Sequence, residues 1–187
     1  SRPRAIFAQR VRPDFLVNNA GRGVYGDFVR ETDLDAELRM IQLNVVSVVQ
    51  LTKRFAREMV ARRSGRILIT SSIAALAPRP KLDVYSATKA FDFAFAEALA
   101  NELKDTGVTV TALLPAETGF EFFERAAMQD TPTGRAKKAD PADVARAGYS
   151  AMMKGSDHVI TPFTAKMRAA LTSVLPESMI TAIARPE

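Results

Sequence analysis

The sequence of 187 residues contains no cysteine, so it can form no disulfide and carry out no thiolate chemistry; this fits a reducing, cytoplasmic setting. Histidine occurs once, as His158, with no clustered carboxylates beside it, and no metal site is expected. No apolar run approaches the roughly 18 residues that a membrane span requires. The opening stretch Ser1-Arg-Pro-Arg-Ala-Ile-Phe lacks an extended apolar core, so no signal peptide is expected. Charge is only mildly one-sided, with 26 Lys and Arg against 21 Asp and Glu and a net charge of +5. Such a balance could draw phosphorylated ligands or nucleic acid. However, Arg62-Arg63, Arg66 and Lys137-Lys138 are scattered among acids with no aromatics interleaved, the pattern of a solvated surface, and no nucleic-acid partner is expected.

What is present suits one soluble globular domain over residues 1–187, with 47% hydrophobic and 25% charged residues and no repeats. Residues 14–19 read as a buried strand running into a glycine turn. Thr32 is the expected N-cap of a long helix, with Asp35 at N3. Leu34, Leu38, Ile41, Val45, Val48, Leu51, Phe55 and Met59 then recur at spacings of three and four to about Arg63. A strand over 66–71 follows the Ser64-Gly65 turn, then a Pro78/Pro80 loop. A helix from about Val84 carries Phe91, Phe95, Ala98 and Leu99 until Gly107 stops it. Val108–Leu114 is a third strand, closed by Pro115. An irregular stretch with Phe120, Phe122, Phe123 and Met128 reaches Asp140, where Asp140 as N-cap, Pro141 at N1 and Asp143 at N3 open a helix ending at Gly155. His158–Thr161 is a fourth strand, and residues 163–184 an amphipathic helix broken at Pro176. Alternation of strands and helices predicts an α/β fold, a parallel sheet with right-handed crossovers.

The chemistry concentrates in Tyr85-Ser-Ala-Thr-Lys89. Two side chains four residues apart on a helix share one face, and an ammonium beside a phenol favours the phenolate. Ser72, thirteen residues before Tyr85, stands at a strand's C-terminal end, the rim where parallel α/β sheets bind ligands. Ser71 could serve equally, and only the spacing selects Ser72. Asn44 lies within a helical pattern although asparagine is a poor helix former, which suggests a use for its amide. A strand ending in Asn18-Asn-Ala-Gly21, a helical Asn44, a strand ending at Ser72 and Tyr85-x-x-x-Lys89, in that order, resemble the short-chain dehydrogenase/reductase family over residues 14–120.

The resemblance implies a Rossmann-like parallel sheet with helices on both faces and a nicotinamide cofactor, NAD or NADP. It implies Tyr85 as general acid/base toward a carbonyl or secondary alcohol. Lys89 would hold down the pKa of Tyr85 and bond the nicotinamide ribose, Ser72 would donate to the substrate oxygen, and Asn44 would anchor a water linked to Lys89. Asn18, Ala20 and Gly21 resemble the cofactor-side turn, although Asn18 could equally tie adjacent strands. Pro115 and Thr118 fall in the segment that contacts the nicotinamide carboxamide. There Ala116 and Phe120 depart from the family's glycine and threonine. Phe122, Phe123 and Met128 are either a lid or packing, and their character hints at a substrate with apolar bulk. Relatives pair through their long helices, so a homodimer or homotetramer is expected.

No strand, G-x-G-x-x-G turn and helix precede the Asn18-Asn-Ala-Gly21 strand, and the first ten residues look like the tail of a helix. The chain therefore reads as the C-terminal portion of a doubly wound fold, with the first βαβ units absent. The strand Phe15-Leu-Val17, apolar on both faces, would then be a bare edge prone to aggregation. Two alternatives to a working reductase stay open: a non-catalytic binding or interaction module, and an inactive fragment.

Overall fold

The structure, a computed structural model, describes residues 12–116 and 139–161. Strands β1 (Phe15–Asn18), β2 (Gly65–Thr70), β3 (Val108–Pro115) and β4 (His158–Thr161) form one parallel sheet in the order β1-β2-β3-β4. Leu16 sits opposite Ile67, Ile67 opposite Val110, and Ala112 opposite His158. Parallel neighbours need crossover connections. Helices α1 (Leu34–Ile41) and α2 (Ser47–Ala61) lie between β1 and β2, α3 (Asp83–Glu102) between β2 and β3, and α4 (Pro141–Lys154) between β3 and β4.

Strand side chains alternate between two covered faces, which is why β2 and β3 read as nearly continuous apolar runs. Ile67, Ile69, Val110, Ala112 and Leu114 pack with Val48 and Met59 of α2 and with Phe93 and Ala96 of α3. Leu68 and Leu113 turn the other way, onto Val144 and Met152 of α4. Full burial of each such side chain contributes about 1.5–3 kcal/mol. Because α4 covers the face opposite α2 and α3, the described part of the last connection does not repeat the hand of the first two. The expectation of a uniform right-handed series does not extend to it. In β1, Leu16 is buried in the first core, whereas Phe15 and Val17 are 46% and 51% exposed.

Several boundaries move for local reasons. The N-cap of α1 is Asp33, not Thr32: the Asp33 carboxylate accepts from Ala36 N–H at 2.8 Å, while the Thr32 hydroxyl donates back to the Phe28 carbonyl. The single long helix to Arg63 is two helices joined by a π-helical segment, Gln42–Val46, in which Ser47 N–H reaches the Gln42 carbonyl, and α2 ends at Ala61. Helix α3 ends at Glu102, before Gly107. That glycine makes the turn into β3 at φ +83°, where a Cβ would lie 2.2 Å from the Arg63 carbonyl oxygen. The start of α4 is as expected, with Asp140 accepting from Ala142 N–H at 2.8 Å and Pro141 in the first turn. It closes on Gly155 at φ +75°, with Ser156 N–H bonded to the Ala151 carbonyl and Gly155 N–H to that of Met152, a Schellman motif. No described helix is long and apolar enough to cross a membrane. The N-terminal helix tail, Thr118, Phe120, Phe122, Phe123, Met128 and the helix expected over 163–184 lie outside the described residues.

Candidate active site

The C-terminal ends of β1 and β2 bring three segments to one rim. These are the Asn19–Gly21 turn after β1, Ser71-Ser72 after β2, and the first two turns of α3 bearing Tyr85 and Lys89. The π-helical segment supplies Asn44. A cavity of about 750 Å³ lies instead at the opposite ends of the strands, lined by Arg63, Arg66, Lys104 and Asp157. It includes none of these residues.

The two serines have different tasks. Ser71 is buried, and its hydroxyl donates to the Lys89 carbonyl at 2.7 Å. Ser72, in extended conformation, caps a short 3-10 turn over Ile73–Ala75 by accepting from Ala74 N–H at 3.1 Å. Its hydroxyl also hydrogen-bonds the Tyr85 phenol. Of the two hydroxyls, that of Ser72 is beside the phenol and that of Ser71 is committed to the main chain of α3.

Tyr85 is buried among Met40, Leu82, Val24 and Tyr25. Burial raises its pKa to about 12, helped by the Asp92 charge and opposed by the Ser72 hydrogen bond. The net shift is upward, against the expected lowering, and the Lys89 charge has a partner of its own. The Lys89 ammonium donates to the Thr70 carbonyl at 2.7 Å and to Asp92 Oδ2 at 3.0 Å, so its charge is largely matched by a carboxylate. Asp92 is fully buried, and desolvation lifts its pKa to about 6 against the pull of Lys89.

Asn44 is also fully buried, and its amide is a clamp. Nδ2 donates to the Arg22 carbonyl at 2.9 Å and to Thr88 Oγ1 at 3.0 Å, while Oδ1 accepts from Arg22 N–H at 3.0 Å. These bonds tie the turn after β1 to α3. Both amide hydrogens thus have protein partners, while Oδ1 keeps a second acceptor site. A π-helical turn at this position is of the kind that recurs at functional sites.

Asn18 is buried, and Nδ2 donates to Thr52 Oγ1 of α2 at 2.9 Å; the tie runs to a helix, not to a neighbouring strand. Asn18 Oδ1 is buried with no hydrogen-bond partner. Ala20 and Gly21 are exposed at the rim, and a Cβ on Gly21 would meet Asn44 Oδ1 at 3.4 Å and Lys89 Nζ at 3.5 Å. Side-chain-free backbone therefore approaches the Lys89 ammonium closely. Pro115 ends β3, paired with Thr161 of β4. Thr118 lies outside the described residues.

Sequence reasoning missed Asp92, Thr88 and the π-helical segment. An acid three residues after Lys89 and flanked by Phe91 and Phe93 was the available signal for the first. Chemically, the rim offers a protonated phenol with a hydroxyl hydrogen-bonded to it, a buried lysine one turn on, and an open glycine turn. Such a set can polarise and protonate a carbonyl oxygen.

The short chain dehydrogenase family model matches residues 4–130. Human short-chain dehydrogenase/reductase 3 is 31% identical over 166 residues, covering 88% of this chain and 54% of that protein. Among solved structures, a short-chain dehydrogenase from Sphingobium yanoikuyae in complex with NADPH is 26% identical. Its TM-score is 0.79, and the match covers 100% of this chain and 74% of that one. The 3-ketoacyl-(acyl-carrier-protein) reductase from Brucella melitensis complexed with NADH is also 26% identical, with a TM-score of 0.66, over 80% of this chain and 66% of that one. The chain spans about half the length of curated relatives that it matches, 46%, 53% and 45% in three bacterial cases. With the family model covering more than half of the chain and the parallel sheet shared with these structures, this protein belongs to the short-chain dehydrogenase/reductase family.

Proposed function

We propose that this protein works as an NAD- or NADP-dependent oxidoreductase on a carbonyl or secondary alcohol, with Tyr85 as the general acid/base. The observation that carries the reading is the hydrogen bond between Ser72 and the Tyr85 phenol at the sheet rim, with Lys89 one turn further along α3. The nicotinamide cofactor supplies or accepts the hydride when bound. Tyr85, Lys89 and Pro115 hold its nicotinamide end, with Thr118 proposed as a further contact, and Ala20 and Gly21, backed by Asn18, hold its adenosine part. In reduction, Tyr85 passes its proton to the substrate oxygen while the Ser72 hydroxyl donates to the same atom as negative charge grows there. In oxidation the proton moves the other way. Asn44 keeps the Gly21 turn against α3. The NADPH and NADH bound by the two structural relatives support this cofactor class without choosing between its members. Exposed Leu38, Val49 and Phe91 on the long helices support a homo-oligomer.

The test is reduction of a panel of apolar ketones with NADPH or NADH, followed at 340 nm. Tyr85→Phe is expected to lower kcat by at least about 100-fold, the scale of lost acid/base catalysis, with cofactor affinity kept. Full turnover by Tyr85→Phe would refute this assignment. One observation favours a second reading, a fold that binds nucleotide without turnover: the phenol, at a pKa of about 12, holds its proton tightly. Cofactor binding with no turnover across pH 6–10 would support that reading.

A further inference from the structure

Asp92 does not belong on the apolar side of a helix by any propensity argument. It lies between Phe91 and Phe93, is 0% exposed, and faces the interior one turn beyond Lys89. Oδ2 is 3.0 Å from Lys89 Nζ, whereas Oδ1 has no hydrogen-bond partner. A carboxylate buried with one oxygen unsatisfied opposes folding unless its charge is matched. The match is Lys89, whose ammonium otherwise donates to the neutral Thr70 carbonyl.

We propose that Asp92 is a positioning residue of the site: its carboxylate holds the Lys89 ammonium in a buried ion pair and thereby governs how much positive charge acts on Tyr85. The groups around the pair fit this assignment. From β2 and the residue after it come the Thr70 carbonyl and the Ser71 hydroxyl, and from the π-helical segment Asn44, all uncharged. The Lys89 charge pulls the Asp92 pKa down, and the Asp92 charge pushes the Tyr85 pKa up. With the carboxylate present the ammonium one turn along the helix from the phenol is matched and not a bare cation. The phenol keeps its proton and serves as an acid toward a developing alkoxide more readily than as a base. The catalytic meaning rests on the function proposed above; the geometry does not.

Tyrosinate absorbance at 295 nm reads the effect without any turnover. The full chain is titrated alongside Tyr85→Phe, whose curve contains only Tyr25 and Tyr149, and Asp92→Asn. The difference attributable to Tyr85 is expected to be small below pH 11 in the unmodified chain. In Asp92→Asn its midpoint should fall by about one pH unit or more, the scale set by a nearby unmatched charge. An unchanged midpoint in a variant folded by circular dichroism overturns the proposal. If that variant does not fold, the unmodified chain still decides: the Lys89 15Nζ resonance is expected to move with a midpoint near 6, as Asp92 titrates. A resonance that stays fixed between pH 4 and 8 overturns it. A displaced Tyr85 titration in a protein that reduces no ketone would remove the proposed function and leave this inference standing. An undisplaced one in an active enzyme would do the reverse.

Discussion

The Ser71 hydroxyl donates to the main-chain carbonyl of Lys89 at 2.7 Å, so the residue beside Ser72 fastens the end of β2 to the helix that bears Tyr85 and Lys89. The two serines should therefore separate by phenotype. Ser71→Ala is expected to lose about 1–2 kcal/mol of stability in urea unfolding, with a lesser effect on rate. Ser72→Ala is expected to lower kcat by about 100-fold or more with stability changed by less than about 1 kcal/mol. Equal effects of both substitutions on kcat would contradict the division.

The direction of reaction should respond to pH unequally. With Tyr85 raised to about 12, the protonated phenol needed for reduction is present throughout the neutral range. The phenolate needed for oxidation grows about tenfold per pH unit below that value. Initial rates from pH 6 to 10 are expected to be level for ketone reduction in this group's contribution and to climb steadily for alcohol oxidation. An oxidation rate that levels off near pH 7 would mean that the phenol titrates far lower in the working enzyme.

Much of this arrangement was legible in the residues, and the failures have identifiable causes. The strand ends, the Asp140-Pro141 helix start and the shared face of Tyr85 and Lys89 follow from local rules that tertiary context left intact. The π-helical segment was not legible, because the apolar spacing of Ile41, Val45 and Val48 is satisfied by a regular helix as well as by one with a widened turn. Asp33 was passed over because Thr32 is also an accepted cap type, although a weaker one, and the hydrogen bond shows which residue caps. The partner of Lys89 was misjudged for a related reason. Tyr85 at i−4 and Asp92 at i+3 are both on its face, and burial, invisible in one sequence, decides which one receives its charge.

Asn44 offers a stability measurement. Asn44→Ala leaves the Arg22 N–H and carbonyl without their Asn44 partner and removes the bond that Thr88 Oγ1 accepts, while the Thr88 hydroxyl still donates to the Tyr85 carbonyl. A loss of about 2–3 kcal/mol in unfolding free energy is expected, together with weaker NADPH binding as the Gly21 turn comes away from α3. A variant as stable as the parent would show that the clamp carries no net energy.

The pH dependence of stability isolates Asp92. Its pKa is higher in the folded chain, about 6, than in the unfolded chain, so the native state binds the proton more tightly. This group's contribution to stability is therefore most favourable below the ordinary Asp range and falls as pH rises through 6. Relative to Asp92→Asn, the parent is expected to gain up to about 3 kcal/mol between pH 8 and pH 4, with other titrations common to both. A difference that does not vary with pH would indicate an unperturbed carboxylate.

The widened turn at Gln42–Val46 has an evolutionary and engineering consequence. Removing one residue there would let α1 and α2 merge into a regular helix with better backbone geometry. The extra residue is taken up inside the widened turn, so α1 and α2 would keep their faces while the side chains within the turn, Asn44 among them, would be displaced. Asn44 and the turn at Arg22 would no longer meet. Selection for helix regularity and selection for this junction thus pull in opposite directions, and a sequence optimised purely for thermostability should shed the irregularity first.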